Sequence, residues 1–582
     1  MRRLKFIALV LILCMAFSTA GAFACTGMYV GKDVSAEGTT LIARSEDQGT
    51  GMYNKLFFVQ ERVTKAGRYM VDTGEDQNGF KVKLPKTTYK YTYLADAVDG
   101  YDGMYYASCA NEYGLAVVGT VTTGVSEEYE KIDPAKETGT GLREAILPGL
   151  IACQAKTARE AVEVAAKYHD EYGSEEWNTT LFSDKNEAWI FENYGGHSYA
   201  AMKLPSDKVA VFGNQIMIDW VDPADTENFY LSANLVENLE KLAKPVKDDK
   251  GRYNLVLSLA PGGREEYSNM RTWRGHQVFA PSQTGAYSDN EYYSLLFTPD
   301  KKVSVTDVMQ LFGDRYEGTE FDMMKPENAG RRPIGVTRQS DVHIFQTFTE
   351  LPADTCQLQW LAMGNAEHAI FVPAFSGITD TYSKYKIDNT ETYEAVNDGF
   401  YYVSKNLCQL AESDRQFLSQ GVKDYNLLQE KIMLKDVQNQ ISKIKKAYAV
   451  SKKNGRKYVT DLAKKVAKEQ YTNAKILGTS LAFRQGNNIN DRVNNARKKT
   501  FEAEVKLIPA ASYLGYTVKS KTVSKGVKSY TLTSAAKTVK FTVGEEEYTV
   551  TENGTTTKAE MRLAPYIRGG KLYVPMSFVE VL

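Results

Sequence analysis

Histidine is scarce in this chain, with 5 in 582 residues. The five are His169, His197, His276, His343 and His368. None pairs as HxxxH and no HExxH occurs, so the sequence offers no zinc-peptidase motif. It also lacks the GxSxG elbow of a serine hydrolase, and Gly262-Gly263 lacks the spacing and the lysine of a phosphate loop. We therefore expect no metal or organic cofactor.

Cysteine is also infrequent, with 6 residues and no CxxC pair. Beyond Cys14 they are Cys25, Cys109, Cys153, Cys356 and Cys408. Their scatter does not indicate a disulfide framework, and their odd number leaves at least one free thiol unless chains are cross-linked. The formal net charge of -1 gives no reason to expect a nucleic-acid partner. No second apolar run is long enough to span a bilayer, so we expect no transmembrane segment in the mature chain.

The N-terminal residues have the pattern of a removable leader. Arg2, Arg3 and Lys5 precede an unbroken apolar run over residues 6–17, and Ala22-Phe23-Ala24 gives the small-x-small sequence of a signal-peptidase site. We predict a signal peptide over residues 1–24 and a mature protein that begins at Cys25 and is secreted or cell-wall associated.

That cut would place a thiol and a free α-amine on one residue. Their reference pKa values are about 8.5 and about 7.7–8.0, so a modest downward shift lets the amine take the thiol proton. A lipoprotein signal is a weaker reading, because Ala22 and Phe23 occupy the places where it has a large aliphatic and a small residue. A third interpretation is that Cys25 is a small buried apolar residue. Its position directly after a cleavage site favours a nucleophile.

Arg44 and Asp47 follow Cys25 closely enough to support it. Asp47 could hold and orient the amine. Arg44 could favour the thiolate, because a nearby cation lowers the pKa of a thiol. We therefore include both residues in the candidate catalytic set.

A series of motifs extends this pattern along the chain. In order, they are Cys25-Thr26, Gly31-Lys32, Gly38-Thr39-Thr40, Arg44-Ser45-Glu46-Asp47, Asn111-Glu112-Tyr113-Gly114-Leu115, Glu187-Ala188-Trp189-Ile190-Phe191-Glu192, Gly195-Gly196-His197, Gly213-Asn214-Gln215-Ile216-Met217-Ile218-Asp219, Arg331-Arg332-Pro333-Ile334-Gly335 and Gln359-Trp360-Leu361-Ala362. The series resembles peptidase family C69, dipeptidases among the N-terminal nucleophile (Ntn) hydrolases that are related to penicillin V acylase and bile-salt hydrolase. The resemblance implies an α+β fold, the αββα sandwich of Ntn hydrolases.

The resemblance also implies two further site residues. Asn214-Gln215 matches the pair whose Asn helps form the oxyanion hole in the related acylases, where one fixed donor is typically worth about 2.7–4 kcal/mol. The alternative is that Asn214 caps a strand end. Arg271 is the candidate for a second arginine near the thiol and Arg274 is the fallback; Thr272 stands where many C69 chains carry an aromatic residue. A surface arginine is the alternative for both.

The composition changes from about Glu391, near the end of the resemblance, and again from about residue 503. We expect the Ntn-hydrolase domain over residues 25–410 and a helical extension over residues 411–502, with amphipathic helices over 422–448 and 458–477. Residues 503–582 resemble the module named after the N-terminal domain of copper amine oxidase, a common appendage of secreted bacterial proteins. This small β-rich domain has no His cluster, so we expect no copper; attachment to the cell wall or a partner is inferred by analogy.

Several local elements are predicted from pattern alone. Strands are expected over residues 26–30, 39–43, 104–109, 115–121, 179–182, 188–192, 198–202 and 209–212. A helix is expected over residues 141–151. A second helix should begin after the capping box Thr157-Ala158-Arg159-Glu160 and stop near Gly173.

These observations converge on a secreted cysteine-type dipeptidase that hydrolyses small peptides through an acyl-enzyme on Cys25. An N-acyl amide or peptidoglycan-fragment amidohydrolase would share the same nucleophile. A catalytically idle cell-wall binding protein is the alternative of another class, supported by the C-terminal module. Retention of Cys25, Arg44, Asp47 and Asn214 together speaks against it.

Overall fold

The structure is a computed structural model that describes residues 25–48, 53–72, 80–98, 105–260, 265–387, 398–493, 500–524 and 526–582. The predicted leader, residues 1–24, lies outside the described residues. The chain forms two compact units. The first contains the described residues within Met1–Ala366, Val372–Tyr402 and Ala447–Ala467, and the second contains those within Glu367–Phe371, Val403–Lys446 and Lys468–Leu582. The predicted domain limits stay predictions.

Two large antiparallel sheets form the centre of the first unit. The first has seven strands in the order Leu296–Phe297, Val209–Phe212, Thr26–Val30, Thr40–Asp47, Gln339–Thr347, Gln357–Ala362 and Val372–Phe375. The second has eight strands in the order Phe229–Leu231, Tyr199–Lys203, Ala188–Asn193, Asn178–Ser183, Ala116–Thr122, Tyr105–Asn111, Tyr91–Val98 and Tyr53–Gln60. The predicted strands are confirmed, most of them with ends shifted by one or two residues.

Both sheets contribute to one apolar layer. Tyr29 and Phe212 of the seven-stranded sheet share a buried cluster with Val118 and Ile190 of the eight-stranded sheet. Alternate residues of the eight-stranded sheet, such as Phe182, pack with helices on its other face. The two sheets therefore lie face to face, with helices on the outside.

Leu147–Ala152 and Ala158–Tyr172 cover the outer face of the eight-stranded sheet, whereas residues of Leu235–Leu239 and Leu255–Leu259 join the apolar layer shared by both sheets. Several helices lie wholly within the first unit. They are Glu127–Ile132, Leu147–Ala152, Ala158–Tyr172, Leu235–Leu239, Leu255–Leu259, Glu266–Phe279 and Val305–Phe312, with 3-10 turns at Pro326–Asn328, Ala353–Thr355 and Ser383–Lys386. Small two-stranded ladders pair Val63–Thr64 with Thr87–Thr88, Tyr69–Val71 with Lys81–Lys83, and Trp220–Val221 with Tyr253–Asn254. The arrangement is the αββα sandwich that the sequence predicts.

The helix Ala158–Tyr172 begins and ends where its sequence predicts. Thr157 Oγ1 accepts a hydrogen bond from the Glu160 backbone N–H at 3.0 Å. Gly173 ends the helix with φ 74°, a left-handed conformation that glycine adopts without steric cost.

The predicted helix over residues 141–151 is wrong in its first half. The observed helix is Leu147–Ala152, with Pro148 in its first turn. Proline is tolerated in the first turn but not in a helix interior. The preceding Gly141 N–H instead donates to the Glu175 carboxylate at 2.9 Å, and Leu142 forms an isolated β-bridge with Ser174.

Long helices and a β-rich module characterise the C-terminal part of the chain. The helices are Phe400–Ser413, Arg415–Val450 and Lys452–Val493, followed by the short Leu507–Tyr513 and Met576–Val581. A five-stranded sheet has the order Thr517–Ser524, Val527–Thr533, Lys537–Thr542, Glu547–Glu552 and Thr555–Glu560, and a three-stranded sheet has the order Glu504–Lys506, Lys571–Pro575 and Tyr566–Arg568. Among the described residues, no helix is long and apolar enough to cross a membrane.

The second unit has one continuous core. Leu418 and Leu477 of the long helices share a buried cluster with Leu532 and Phe578 of the β-rich module. The helices and the module therefore stabilise each other within this unit.

The contact between the helix Glu266–Phe279 and the seven-stranded sheet depends on Gly275. A Cβ atom at Gly275 would overlap the Val211 side chain, whereas one at Gly285 would meet nothing within 4 Å. We predict that Gly275→Ala destabilises the first unit by about 1–3 kcal/mol through overpacking, which lowers Tm by roughly 2–4 °C per kcal/mol. Gly285→Ala is the matched control. Thermal unfolding, followed by near-UV circular dichroism, measures the Tm of both variants. Equal Tm values for Gly275→Ala and Gly285→Ala would contradict the prediction.

Candidate active site

Cys25 lies directly before the strand Thr26–Val30, which occupies the interior of the seven-stranded sheet. The register pairs Thr26 with Ser45 and Gly27 with Arg44 on the neighbouring strand. The Thr26 backbone N–H also donates to Ser45 Oγ at 3.2 Å. The strand Thr40–Asp47 therefore carries its polar end, Arg44 to Asp47, alongside Cys25.

The guanidinium of Arg44 contacts the thiol directly. Arg44 Nη2 lies 3.1 Å from Cys25 Sγ, and both residues are fully buried. Burial raises the pKa of the Cys25 thiol to about 12, while the Arg44 cation opposes that rise. Arg44 is thus the group that favours the thiolate in this site.

A buried ionic network holds Arg44 from behind. Arg44 Nη1 donates to Glu46 Oε2 at 2.9 Å, and Glu46 Oε1 lies 2.9 Å from Lys55 Nζ. Lys55 also pairs with Asp96 and, at 2.9 Å, with Asp341. Burial alone would raise the pKa of Glu46, but the cations of Lys55 and Arg44 outweigh it and keep the pKa below its usual range. Glu46 therefore stays ionised and fixes the orientation of Arg44.

Arg271, on the helix Glu266–Phe279, reaches the backbone of Cys25. Its Nη1 donates to the Cys25 carbonyl at 2.5 Å and to Thr26 Oγ1 at 3.1 Å. Its Nη2 donates to Asn214 Oδ1 at 2.9 Å. Gly213 makes room for this side chain, because a Cβ there would stand 2.7 Å from the Arg271 guanidinium carbon.

The Asn214 side chain is held from both ends. Its Oδ1 accepts from Arg271, and its Nδ2 donates to the Thr122 carbonyl at 2.9 Å. These partners fix which end of the amide is oxygen and which is nitrogen, since a guanidinium only donates and a carbonyl only accepts. The Asn214 carbonyl in turn accepts from Ser268 Oγ at 3.1 Å.

Asp47 lies at the end of the strand Thr40–Asp47 and pairs with Arg332 through Oδ2. Its Oδ1 is buried and has no hydrogen-bond partner within the described chain. Burial raises the pKa of Asp47 against the opposing charge of Arg332. The Asp47 charge in turn helps to raise the pKa of the Cys25 thiol, after the larger effect of burial. Asp47 is thus a buried acceptor whose charge acts on the Cys25 thiol.

The structure brings Cys25, Arg44, Arg271 and Asn214 into one connected set and places Asp47 beside it. Arg274 lies elsewhere: its Nε and Nη2 bind the Asp314 carboxylate at 2.8 and 2.6 Å. Five charged residues of the site were given no role from the sequence. They are Glu46, Arg332, Lys55, Asp96 and Asp341. Glu46 and Arg332 stood in recognised motifs, and no sequence signal links the other three.

One group of side chains in the second unit has ligand atoms close enough together to hold a metal ion. Glu367, His368 and Glu412 bring their ligand atoms within 4.8 Å of one another. Glu367, however, pairs with Arg415 at 2.6 Å and Lys423 at 3.2 Å. Because these cations take the carboxylate oxygens, we assign no metal to this group.

The contact between Arg44 and the thiol gives a direct prediction for the protein that begins at Cys25. Arg44→Gln removes the cation 3.1 Å from Sγ, so the thiol pKa should rise by about 1–3 units. The pH dependence of Cys25 alkylation by iodoacetamide measures this shift. Arg44→Lys keeps the charge and should shift the profile less. Arg44→Gln with Glu46→Gln separates the loss of the cation from an unpaired Glu46, and an unchanged profile in the single variant would contradict the prediction.

Comparisons with known proteins find two matching family models. Residues 24–463 match the model of Peptidase family C69, and residues 501–582 match that of the Copper amine oxidase N-terminal domain. A solved structure of a mutant conjugated bile acid hydrolase from Clostridium perfringens aligns with 60% of this chain and 92% of its own, at 10% identity and a TM-score of 0.25.

Curated relatives cover a similar stretch. "Probable dipeptidase B" of Streptococcus pyogenes serotype M1 is 32% identical over 409 residues, which are 68% of this chain and 79% of the relative. "Dipeptidase A" of Lactobacillus helveticus is 27% identical over 365 residues, 61% and 76% of the two chains. With a family match over most of its length and a relative above 30% identity, the chain belongs to peptidase family C69.

Proposed function

We propose that the protein is a secreted cysteine-type dipeptidase whose nucleophile is Cys25. The observation that supports this most strongly is the 3.1 Å contact between Arg44 and Cys25 Sγ, in a chain whose curated relatives are named dipeptidases. A cation at that distance favours the thiolate, which is the nucleophilic form. Small peptides are the proposed substrates, and no cofactor takes part.

Removal of residues 1–24 is the first step of the proposal. In the longer chain the Cys25 nitrogen belongs to an amide, which cannot act as a base. After cleavage it is an amine with a reference pKa of about 7.7–8.0. Asp47 Oδ1, buried without a hydrogen-bond partner in the described chain, then accepts from the amine and orients it.

The reaction follows the usual course of acyl transfer. The neutral amine takes the proton of the Cys25 thiol, and the thiolate attacks the peptide carbonyl carbon. The Asn214 amide donates to the oxygen as it becomes negative. The amine then gives its proton to the departing amino group, leaving an acyl group on Sγ. Water, deprotonated by the same amine, releases this acyl group and restores the thiol.

Two other functions remain to be separated by experiment. An N-acyl amide or peptidoglycan-fragment amidohydrolase would use the same nucleophile and differ only in the substrate it accepts. A panel of dipeptides, N-acyl amino acids and muropeptides distinguishes them, and preferential cleavage of the last two classes would replace the dipeptidase assignment. A cell-wall binding protein without activity would cleave none of them.

The nucleophile is tested by Cys25→Ala in the secreted protein. We expect loss of dipeptide hydrolysis, because no other described thiol lies in the site. Cys153→Ala is the matched control, since Cys153 is buried in the core between the helices and the eight-stranded sheet and should leave kcat unchanged. N-terminal sequencing of the same preparations should begin at Cys25 in the wild type. Undiminished hydrolysis by Cys25→Ala, or a mature chain that starts elsewhere, would overturn the proposal.

Attachment to the cell wall is tested with the whole chain, because the module shares its core with the long helices. We propose that the full-length Cys25→Ala protein sediments with purified peptidoglycan sacculi. Quantifying protein in pellet and supernatant over a range of salt concentrations separates specific binding from charge attraction. Protein that stays in the supernatant at low salt would remove the attachment role and leave the hydrolase proposal intact.

A further inference from the structure

The proposed oxyanion donor belongs to an irregular segment. Asn214 lies between the strands Val209–Phe212 and Trp220–Val221. Its side chain and carbonyl are held by Arg271, Thr122 and Ser268. Such a segment lacks the ladder of hydrogen bonds that fixes a strand, so its far side needs separate anchors.

One buried carboxylate supplies those anchors. Glu192 Oε1 accepts from the Met217 backbone N–H at 3.0 Å, and Oε2 accepts from the Ile218 N–H at 3.2 Å. Thr179 Oγ1 donates to Oε1 at 3.2 Å, and the Tyr194 hydroxyl donates to Oε2 at 3.0 Å. Glu192 is fully buried, on the strand Ala188–Asn193 and opposite Thr179 in register. In all four contacts the carboxylate accepts, and the two backbone N–H groups can bind it in no other way.

We propose that Glu192 is a positioning residue of the active site: its ionised carboxylate fixes the backbone at Met217 and Ile218 and thereby holds the Asn214 amide in place. This rests on the proposed function, because Asn214 matters as a donor only if Cys25 attacks a carbonyl. Glu192 touches neither substrate nor nucleophile. It acts through the backbone, because Met217 follows Asn214 by only three residues in the chain.

The hydrogen-bond partners of Glu192 favour its ionised form, whereas burial opposes it. Each carboxylate oxygen faces two donors, so a proton on either oxygen must displace a backbone N–H or make the Thr179 or Tyr194 hydroxyl turn and accept. The titratable groups facing Glu192 are Tyr194 and, behind it, Tyr129; no Lys, Arg or His in the described chain pairs with Glu192. The negative charge is therefore balanced by hydrogen-bond donors alone.

This environment moves the titration of Glu192 towards neutral pH. Burial raises the pKa of Glu192 to about 7, against the opposing effect of the Ile218 and Met217 N–H groups and of Tyr194 and Thr179. Below that pH the carboxyl becomes protonated and the Asn214 segment loses an acceptor. We therefore expect kcat to fall as the pH drops through about 7.

Two conservative variants move this pH dependence in a stated direction. Tyr194→Phe and Thr179→Val each remove one donor that stabilises the ionised carboxylate. Without that donor the Glu192 pKa rises further, so the acidic limb of kcat should move to higher pH by about 0.5–1 unit in each variant. Neither side chain touches Cys25 or its amine. The part of the pH profile of kcat that reports titration of the amine should therefore not shift.

Glu192→Gln removes the titration itself. The Gln amide nitrogen is itself a donor and would face at least one of the backbone N–H groups of Met217 and Ile218, which then lacks an acceptor. The Asn214 segment should therefore be held less well at every pH. We expect kcat to fall about 10–100-fold, short of the roughly 10²–10³-fold loss of an entire oxyanion donor, with KM changed much less. The acidic limb due to Glu192 should disappear.

The experiment measures kcat and KM for a dipeptide across about pH 5.5–9 for the mature wild type and the three variants. Wild-type kcat in Glu192→Gln, or an unmoved limb in both Tyr194→Phe and Thr179→Val, would overturn the positioning role. If Glu192→Gln does not fold by near-UV circular dichroism, the two donor variants decide. Failure of the proposed function looks different: the wild type would not hydrolyse the dipeptide, or Cys25→Ala would still do so.

Discussion

The rest of the site depends on the hydrogen bonds that the Arg271 guanidinium donates. Its five N–H donors reach the Tyr267 carbonyl, the Cys25 carbonyl, Thr26 Oγ1, Asn214 Oδ1 and Ser268 Oγ. These contacts tie the start of a central strand to the irregular segment after another strand and to an outer helix. Burial lowers the pKa of Arg271 to about 10, which leaves it charged at neutral pH. A lysine has three donors on a single atom and could not span this set.

Arg44, the arginine that contacts the Cys25 thiol, is held by a different set of residues. Its partners form a network that joins the two sheets: Glu46 and Asp341 lie on strands of the seven-stranded sheet, and Lys55 and Asp96 lie on strands of the eight-stranded sheet. Removing one member of such a buried network leaves a charge without its partner, typically at a cost of about 3–5 kcal/mol. The same ion pairs that hold the guanidinium at the thiol therefore also hold the two layers together at this end of the sandwich.

The sequence predicted this site unevenly, and the reasons are physical. Arg44 and Asp47 follow Cys25 on the next strand, so their closeness results from a short hairpin that the pattern of residues indicates. Arg271 is 246 residues from Cys25, and only the resemblance to a family suggested it.

The partners Lys55, Asp96 and Asp341 carry no local signal. Their pairing depends on how the two sheets are stacked, which alternation along single strands does not reveal. The helix predicted over residues 141–151 failed because Pro148 and the contact of Gly141 with Glu175 outweigh a periodic apolar pattern.

The ionised form of Glu192 lowers the stability of the fold while it fixes the backbone at Met217 and Ile218. A pKa raised from 4.5 to about 7 means that folding favours the protonated carboxyl, so its stabilising contribution is complete below about pH 4.5 and is lost as the pH rises through about 7. By linkage the ionised form then costs on the order of 3 kcal/mol relative to an exposed carboxylate. An apolar residue would avoid that cost but would leave the Met217 and Ile218 N–H groups without an acceptor. The loss of stability is thus the consequence of holding the irregular segment that carries Asn214, the proposed oxyanion donor.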